Sequence, residues 1–88
     1  MEEKTLEFLA NVAMTLGART ARYGDPACFF REVAKRWTVT LGIPVTPEKV
    51  VLCMIDMKLQ RLCHDPGHVD STLDIAGYAV CLEKVHSK

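Results

Sequence analysis

The residues best suited to chemistry are two carboxylates and two cations on either side of a short polar segment. Asp70 and Asp74 are four residues apart, so a helix places them one turn apart on one face. Lys58 and Arg61 precede them within an otherwise apolar segment. Carboxylates bind Mg²⁺ or sugar hydroxyl groups, and cations bind phosphate. We therefore predict a ligand site at these four residues, with Asp70 and Asp74 as the candidate catalytic pair.

The composition is that of a folded chain without a charge bias. Its 88 residues are 49% hydrophobic, and 11 basic residues balance 11 acidic ones. Such an apolar chain is not disordered, and zero formal net charge argues against general nucleic-acid binding. The neutral balance also leaves little repulsion against self-association.

The four cysteines form no CxxC motif, and the start of the chain shows no signal peptide. We interpret them as reduced thiols of a cytoplasmic protein. Cys63, His64 and His68 are metal ligands by type, but their spacing matches no closed zinc pattern, so no metal site is predicted there. No apolar run approaches the ~18 residues of a membrane span, so no membrane partner is predicted.

Apolar residues recur at helical spacing throughout, and no segment alternates as a strand does. The fold class predicted is therefore all-α, a small antiparallel bundle of four helices. Capping residues followed by proline start the second and third helices, at Asp25-Pro26 and Thr46-Pro47. The predicted helices span residues 3–21, 26–41, 47–63 and 70–86.

Two of these helices carry an apolar stripe that predicts a buried face. The stripe of the first helix consists of Leu6, Leu9, Ala10, Ala13 and Leu16. The stripe of the second helix consists of Phe30, Val33, Ala34, Trp37 and Leu41. We interpret Trp37 as a core anchor, with a base-stacking platform as the alternative.

Helical phase orients the candidate charges. Lys58 falls in the centre of the apolar face of the third helix and Arg61 on its edge, whereas Asp56 falls on the solvent face. Asp74 falls opposite the solvent face of the fourth helix. A short turn makes these helices antiparallel neighbours, so we expect Lys58 and Arg61 to face Asp70 and Asp74.

The predicted charge cluster has two interpretations. It is either an internal salt-bridge network that fixes helix packing, or a ligand cleft. Buried polar groups are costly and concentrate at functional sites, which favours the cleft. Asp70 has a further alternative as a helix cap, since the fourth helix is expected to start at Asp70 or Ser71. Tyr78, one turn after Asp74, is assigned to the same site.

A second, weaker group lies at the end of the first helix. Arg19 and Arg22, beside Tyr23, can reach an anion from there, so Arg22 and Tyr23 are included among the ligand-binding residues. The alternative is an ordinary solvated helix end, where cations suit the helix dipole.

Several segments together resemble a family of small, uncharacterised phage and prophage proteins. They are Tyr23-Gly24-Asp25-Pro26, the Trp37 segment, Lys58-x-x-Arg61-Leu62 and His68-x-Asp70-Ser71-x-x-Asp74-Ile75-Ala76-Gly77-Tyr78-Ala79. The resemblance covers residues 19 to 82, although the family often has Asn where this chain has Phe29. It implies a location in the host cytoplasm.

More distantly, the layout is similar to that of the MazG-like all-α nucleoside triphosphate pyrophosphatases. Those enzymes hold Mg²⁺ with acidic pairs on two adjacent helices. Asp70 and Asp74 correspond to the second pair, but Lys58 and Arg61 stand where the first is expected. The resemblance implies binding of a nucleotide or phosphorylated small molecule, with Mg²⁺ as the candidate cofactor of an enzymatic version.

Three functional hypotheses follow. The first is a nucleotide-binding protein with MazG-like hydrolysis as its enzymatic form. The second is a non-catalytic anti-defence protein that sequesters a host signalling nucleotide or binds a host protein. The third is a structural oligomer whose charges only fix packing. A homodimer or higher homo-oligomer is expected, with the cleft between subunits as one arrangement.

Overall fold

Proline and capping residues start two helices where the sequence predicts. In the computed structural model, which describes residues 1–87, the Thr46 side chain accepts the Lys49 backbone N–H at 3.2 Å, and Pro47 occupies the first position of its helix. Asp25 and Pro26 take the equivalent positions at the start of the second helix. These devices satisfy or remove N–H groups that a helix start otherwise leaves without partners.

Residues 1–87 form four helices and no strand, which confirms the all-α prediction. The helices are α1 (Glu3–Tyr23), α2 (Pro26–Leu41), α3 (Pro47–His64) and α4 (Val69–His86). Gly24 and Gly42 end α1 and α2 with φ of 87° and 74°, a region that glycine enters without steric cost. None of these helices is long and apolar enough to cross a lipid bilayer.

The start of α4 differs from the prediction. Asp70 or Ser71 was the expected first residue, but the helix begins at Val69 and His68 is its cap. His68 Nδ1 accepts the Ser71 backbone N–H at 3.2 Å and lies 2.8 Å from the Ser71 hydroxyl oxygen. Ser71 is fully buried, so its polar atoms need partners within the protein, and the imidazole supplies one.

The antiparallel α3–α4 hairpin is the centre of the molecule. α2 packs against both of its helices, whereas α1 packs on α4, touches α2 only slightly and does not reach α3. The core lies between α2 and the hairpin. It consists of Ala27, Phe30, Ala34, Val50, Val51, Cys81 and Val85. α1 contributes one buried residue, Val12, and is therefore the least embedded helix.

The two predicted apolar stripes have different outcomes. On α2, Phe30 and Ala34 are buried and Trp37 is half-buried against the core, which confirms its role as a core residue. Leu41, at the end of α2, is exposed instead. On α1 the expected burial of the stripe is wrong for most of it, because α1 turns its Val12 side towards the other helices.

Candidate functional site

The Asp74 carboxylate binds two cations, one at each oxygen. Arg19 of α1 donates to Oδ1 at 3.1 Å, and Lys58 of α3 lies 3.1 Å from Oδ2. The Asp74 side chain is 12% exposed, that of Lys58 21% and that of Arg19 51%. These three residues, here called the Asp74 cluster, join three different helices through one carboxylate.

Helical phase predicts the position of Lys58 within this cluster. The side chain of Lys35, an ordinary surface lysine, is 77% exposed, against 21% for Lys58. An ammonium group that leaves water needs a partner of opposite charge, and Asp74 provides it across the hairpin. The structure therefore brings Lys58 and Asp74 together, while their role in ligand binding stays a prediction.

Arg61 and Asp70 do not join the cluster, contrary to the four-charge arrangement expected. Both are exposed, and neither forms an ion pair within residues 1–87. The direction of the two side chains explains this. With Lys58 opposite Asp74, the antiparallel hairpin puts Arg61 at the level of Ser71, one residue from Asp70. Both Arg61 and Asp70 nevertheless turn towards solvent and away from the Asp74 carboxylate.

Arg19 takes the position that the sequence prediction assigned to Arg61. The sequence contains a pattern that predicts this position. Arg19 follows Val12 by seven residues and Leu16 by three, which puts all three on one helix face. Val12 is buried and Leu16 packs against the core. Helical phase applied to α1 would have pointed Arg19 inward.

A half-open cavity of about 460 Å³ lies beside the Asp74 cluster and is lined by residues of all four helices. This volume is within the range of small-molecule sites. Arg19 and Asp74 form the charged part of a wall that is otherwise mainly apolar. The remaining lining residues are Val12, Thr15, Leu16, Thr20, Tyr23, Gly24, Pro26, Phe29, Phe30, Val33, Val50, Met54, Leu73, Gly77, Tyr78 and Cys81.

Four aromatic rings follow one another along this cavity. The Phe30 ring centroid lies 6.4 Å from that of Tyr78 and 5.3 Å from that of Phe29, and Phe29 lies 6.5 Å from Tyr23. Tyr23 and Phe29 are exposed, whereas Phe30 is buried. The Arg22 guanidinium carbon is 5.6 Å from the Tyr23 ring centroid. The rings offer apolar contact for a planar ligand, and Arg22 adds a cation at the exposed end.

Apart from Arg61 and Asp70, the sequence-predicted residues either line the cavity or contact a residue that does. Asp74, Tyr78 and Tyr23 line the cavity. Lys58 contacts Asp74 from outside the lining. Arg22 reaches Tyr23 at the exposed end, as described above.

Cys81 forms part of the cavity wall and is buried. Burial raises the pKa of its thiol, an effect that the nearby charges of Lys84 and Arg19 oppose. A neutral, buried thiol behaves as a small apolar group rather than as a nucleophile. It therefore supplies shape to the cavity and no covalent chemistry.

The residues at the site do not fit the Mg²⁺ that MazG-like enzymes hold. Both Asp74 oxygens contact cations, and Asp70 lies on the surface. Within residues 1–87 no group of three or more His, Cys, Asp or Glu side chains is placed to hold a metal ion. Mg²⁺ binds through carboxylates that are free to coordinate it, so no step through a metal is derived for this site.

Comparison with known proteins finds relatives of this chain in two phages of mycobacteria. The chain is 39% identical to the Gene 55 protein of Mycobacterium phage L5 over 70 residues, which is 78% of this chain and 45% of that protein. It is 33% identical to the Gene 55 protein of Mycobacterium phage D29 over 72 residues, 82% of this chain and 48% of that protein. The chain thus spans about half the length of these relatives. The predicted likeness to phage proteins is confirmed.

No solved structure matches the chain, so the likeness to the MazG-like enzymes stays a prediction. Residues 7–86 match a family described as a domain of unknown function, DUF6378. The match includes α2, α3, α4 and all but the first turn of α1, and with them every residue of the Asp74 cluster. Since it covers most of the chain, this protein belongs to the DUF6378 family.

Proposed function

We propose that this protein binds a nucleotide, or a similarly built small molecule with an aromatic and a phosphorylated end, without hydrolysing it. The observation that carries the proposal is the aromatic-lined cavity of about 460 Å³ with Arg19 and Asp74 on its wall. In this proposal the aromatic group of the ligand packs in the cavity against the ring of Phe29 and beside Tyr78, whose ring contacts Phe30 edge-on. Its phosphate stays near the exposed end of the cavity.

Arg19 is the proposed phosphate ligand. Its side chain is half exposed, and its planar guanidinium suits two-point binding of phosphate. Asp74 also contacts Lys58, so it keeps one cation when Arg19 turns to a ligand. This second pairing lowers the cost of the exchange, because a part-buried carboxylate without any partner is strongly unfavourable. Arg22 provides a further cation nearby.

The absence of hydrolysis is proposed from the same geometry. A MazG-like pyrophosphatase needs carboxylates that coordinate Mg²⁺, and Asp74 is instead held between two cations. Binding without turnover suits a phage protein that removes a host signalling nucleotide from solution in the host cytoplasm. MazG-like hydrolysis remains the enzymatic alternative, and it is tested directly below.

The test is calorimetric titration with a panel of nucleoside mono-, di- and triphosphates, with and without Mg²⁺. We expect one class of nucleotide to bind, and Arg19→Gln to weaken it at least tenfold, equivalent to ~1.4 kcal/mol. Arg36→Gln is the matched control, because Arg36 is an exposed arginine outside the cavity lining and its loss should leave the affinity unchanged.

Each other outcome contradicts a distinct part of the proposal. Release of pyrophosphate or phosphate that requires Mg²⁺ and disappears in Asp74→Ala would establish the enzyme instead of the binder. Equal binding by the Arg19→Gln and Arg36→Gln variants would remove Arg19 from the site. No heat and no change in Tm with any nucleotide would refute nucleotide binding altogether.

A further inference from the structure

α1 has a second apolar side that the rest of residues 1–87 does not cover. Its Val12 side faces the other helices, but the stripe predicted to be buried lies mostly in solvent. Leu6 is 51% exposed and Leu9 48%, and the small residues that continue the stripe are exposed as well. These are Ala10, Ala13 and Gly17. An apolar stripe of this length on a helix is typical of a contact with another helix.

The side chains of this stripe are complementary in size to those of the same stripe on a second, antiparallel copy of the helix. Its first half presents Leu6 and Leu9, and its second half presents Ala13, Gly17 and Thr20. A two-fold axis at Ala13 places Leu9 of one copy on Gly17 of the other, and Leu6 on Thr20. Large side chains then fill the space left by small ones on both sides of the axis, and the two Ala13 side chains meet at the axis itself.

Gly17 supports this arrangement. A Cβ added at Gly17 meets nothing within 4 Å, so the monomer itself gives no steric reason for a glycine. Glycine in the middle of a helix is destabilising relative to alanine. A glycine in that place is explained by the close approach of another backbone or side chain, which Leu9 of a second copy supplies.

The charges of α1 are also complementary in the antiparallel direction. The acidic residues at its start are Glu2, Glu3 and Glu7. Lys4 is the one cation among them, while Arg19 and Arg22 lie in the last turns. In antiparallel pairing the net acidic start of each helix lies near the net basic end of the other. In that register Glu7 is level with Arg19, which also binds Asp74, while Lys4 is level with Arg22. Parallel pairing instead brings the two net acidic ends together and the two net basic ends together.

We propose that α1 pairs antiparallel with α1 of a second copy of this chain, in a symmetric dimer centred on Ala13. α1 has 21 residues and is therefore ~30 Å long, enough for a continuous helix–helix contact. In the dimer α1 is held on both sides, by α4 of its own chain and by the partner. Because α1 forms one wall of the cavity, the dimer also stiffens that wall.

Light scattering of the full chain, coupled to size-exclusion chromatography, measures the mass in solution. We expect twice the chain mass of 9.8 kDa. Leu9→Lys should give a monomer, and Gly17→Leu should do the same, since the monomer has open space at Gly17 and remains folded. Ala18→Lys is the matched control: Ala18 is exposed on the same helix, and its helical phase places it ~140° from Ala13 and off the stripe, so the dimer should persist. Circular dichroism verifies that each variant is folded.

Cysteine cross-linking tests the direction of pairing. In a background with Cys28→Ser, Cys53→Ser and Cys63→Ser, single variants Leu6→Cys and Thr20→Cys are oxidised separately and mixed. We expect a disulfide-linked dimer only from the mixture, because antiparallel helices place position 6 beside position 20. Parallel helices would cross-link each variant with itself and would overturn the proposal.

Two mass results overturn the interface itself. One is the mass of a single chain at every concentration reached. The other is a dimer that persists in Leu9→Lys but is lost in Leu59→Lys, which would place the contact on α3, where Leu59 is 48% exposed.

Discussion

At the scale of single residues, Asp74 is the position on which both stability and the proposed binding depend. The Asp74 side chain is 12% exposed, and its carboxylate contacts Lys58 and Arg19. Its negative charge therefore compensates the part-buried ammonium of Lys58 and also binds the guanidinium that α1 contributes. Asp56, two residues before Lys58, is an ordinary solvated carboxylate, as helical phase predicts. The contrast shows that position on the helix face decides what a carboxylate does.

Asp74→Asn should destabilise the protein by about 1–3 kcal/mol, because it removes the charge that pairs Lys58 while keeping the shape of the side chain. Urea denaturation followed by circular dichroism measures the free energy of unfolding. Asp56→Asn, the matched control, should change it by less than ~0.5 kcal/mol. Equal effects of the two substitutions would show that the Asp74 cluster contributes nothing to stability.

At the scale of helices, the caps determine where each element begins and how it is oriented. α3 starts with a threonine cap that the sequence predicts, whereas α4 starts one or two residues earlier than expected because His68 is its cap. The first turn of α4 positions Ser71 in the core, and Asp74 follows one turn later. The imidazole therefore helps to set the direction in which the Asp74 carboxylate points.

His68→Ala should lower the free energy of unfolding by about 1–2 kcal/mol, because the buried Ser71 N–H and hydroxyl lose their side-chain partner. Thermal and urea unfolding measure the loss. His68→Asn should recover part of it, since an amide oxygen also caps helices. His64→Ala, in the exposed last turn of α3, is the control. A His68→Ala protein as stable as that control would exclude the cap as a stabilising contact.

At the scale of the whole molecule, the four helices are not equally well embedded. α3 and α4 contact each other along their length, and α2 packs against both. α1 packs mainly on α4 and contributes one buried residue. The Arg19–Asp74 ion pair is an additional tie between α1 and the rest of the chain. Because α1 also forms one wall of the cavity, a movement of α1 changes the access of any ligand to the cavity.

Hydrogen exchange should therefore depend on protein concentration in α1 and not in the hairpin. At concentrations low enough for monomers, α1 amides should exchange faster than those of α3 and α4. At high concentration the proposed dimer should slow α1 selectively, since association stabilises the structure it binds. Mass spectrometry of peptides measures both. Slow exchange in α1 equal to that of α3 at every concentration would contradict this unequal embedding.

Local periodicity and caps were enough to predict the four helices, the inward position of Lys58 and its meeting with Asp74. These features depend on the helical repeat and on the short turn that makes α3 and α4 antiparallel. Both are determined by residues that are close together in the sequence. The expectation that Arg61 and Asp70 share the cluster was wrong, because both side chains turn to solvent. A helical wheel places Arg61 on the edge of the apolar face, and an edge position does not decide between core and solvent.

The sequence by itself thus determined the helices, the apolar sides they carry and one ion pair. The tertiary structure alone decided that Arg19 is the second partner of Asp74, that a cavity lies beside them, and that the stripe of α1 remains exposed. The physical reason is that the packing of α1 on α4 selects which of its two apolar sides is covered. That choice depends on the shapes of all the helices together, and no local pattern contains it.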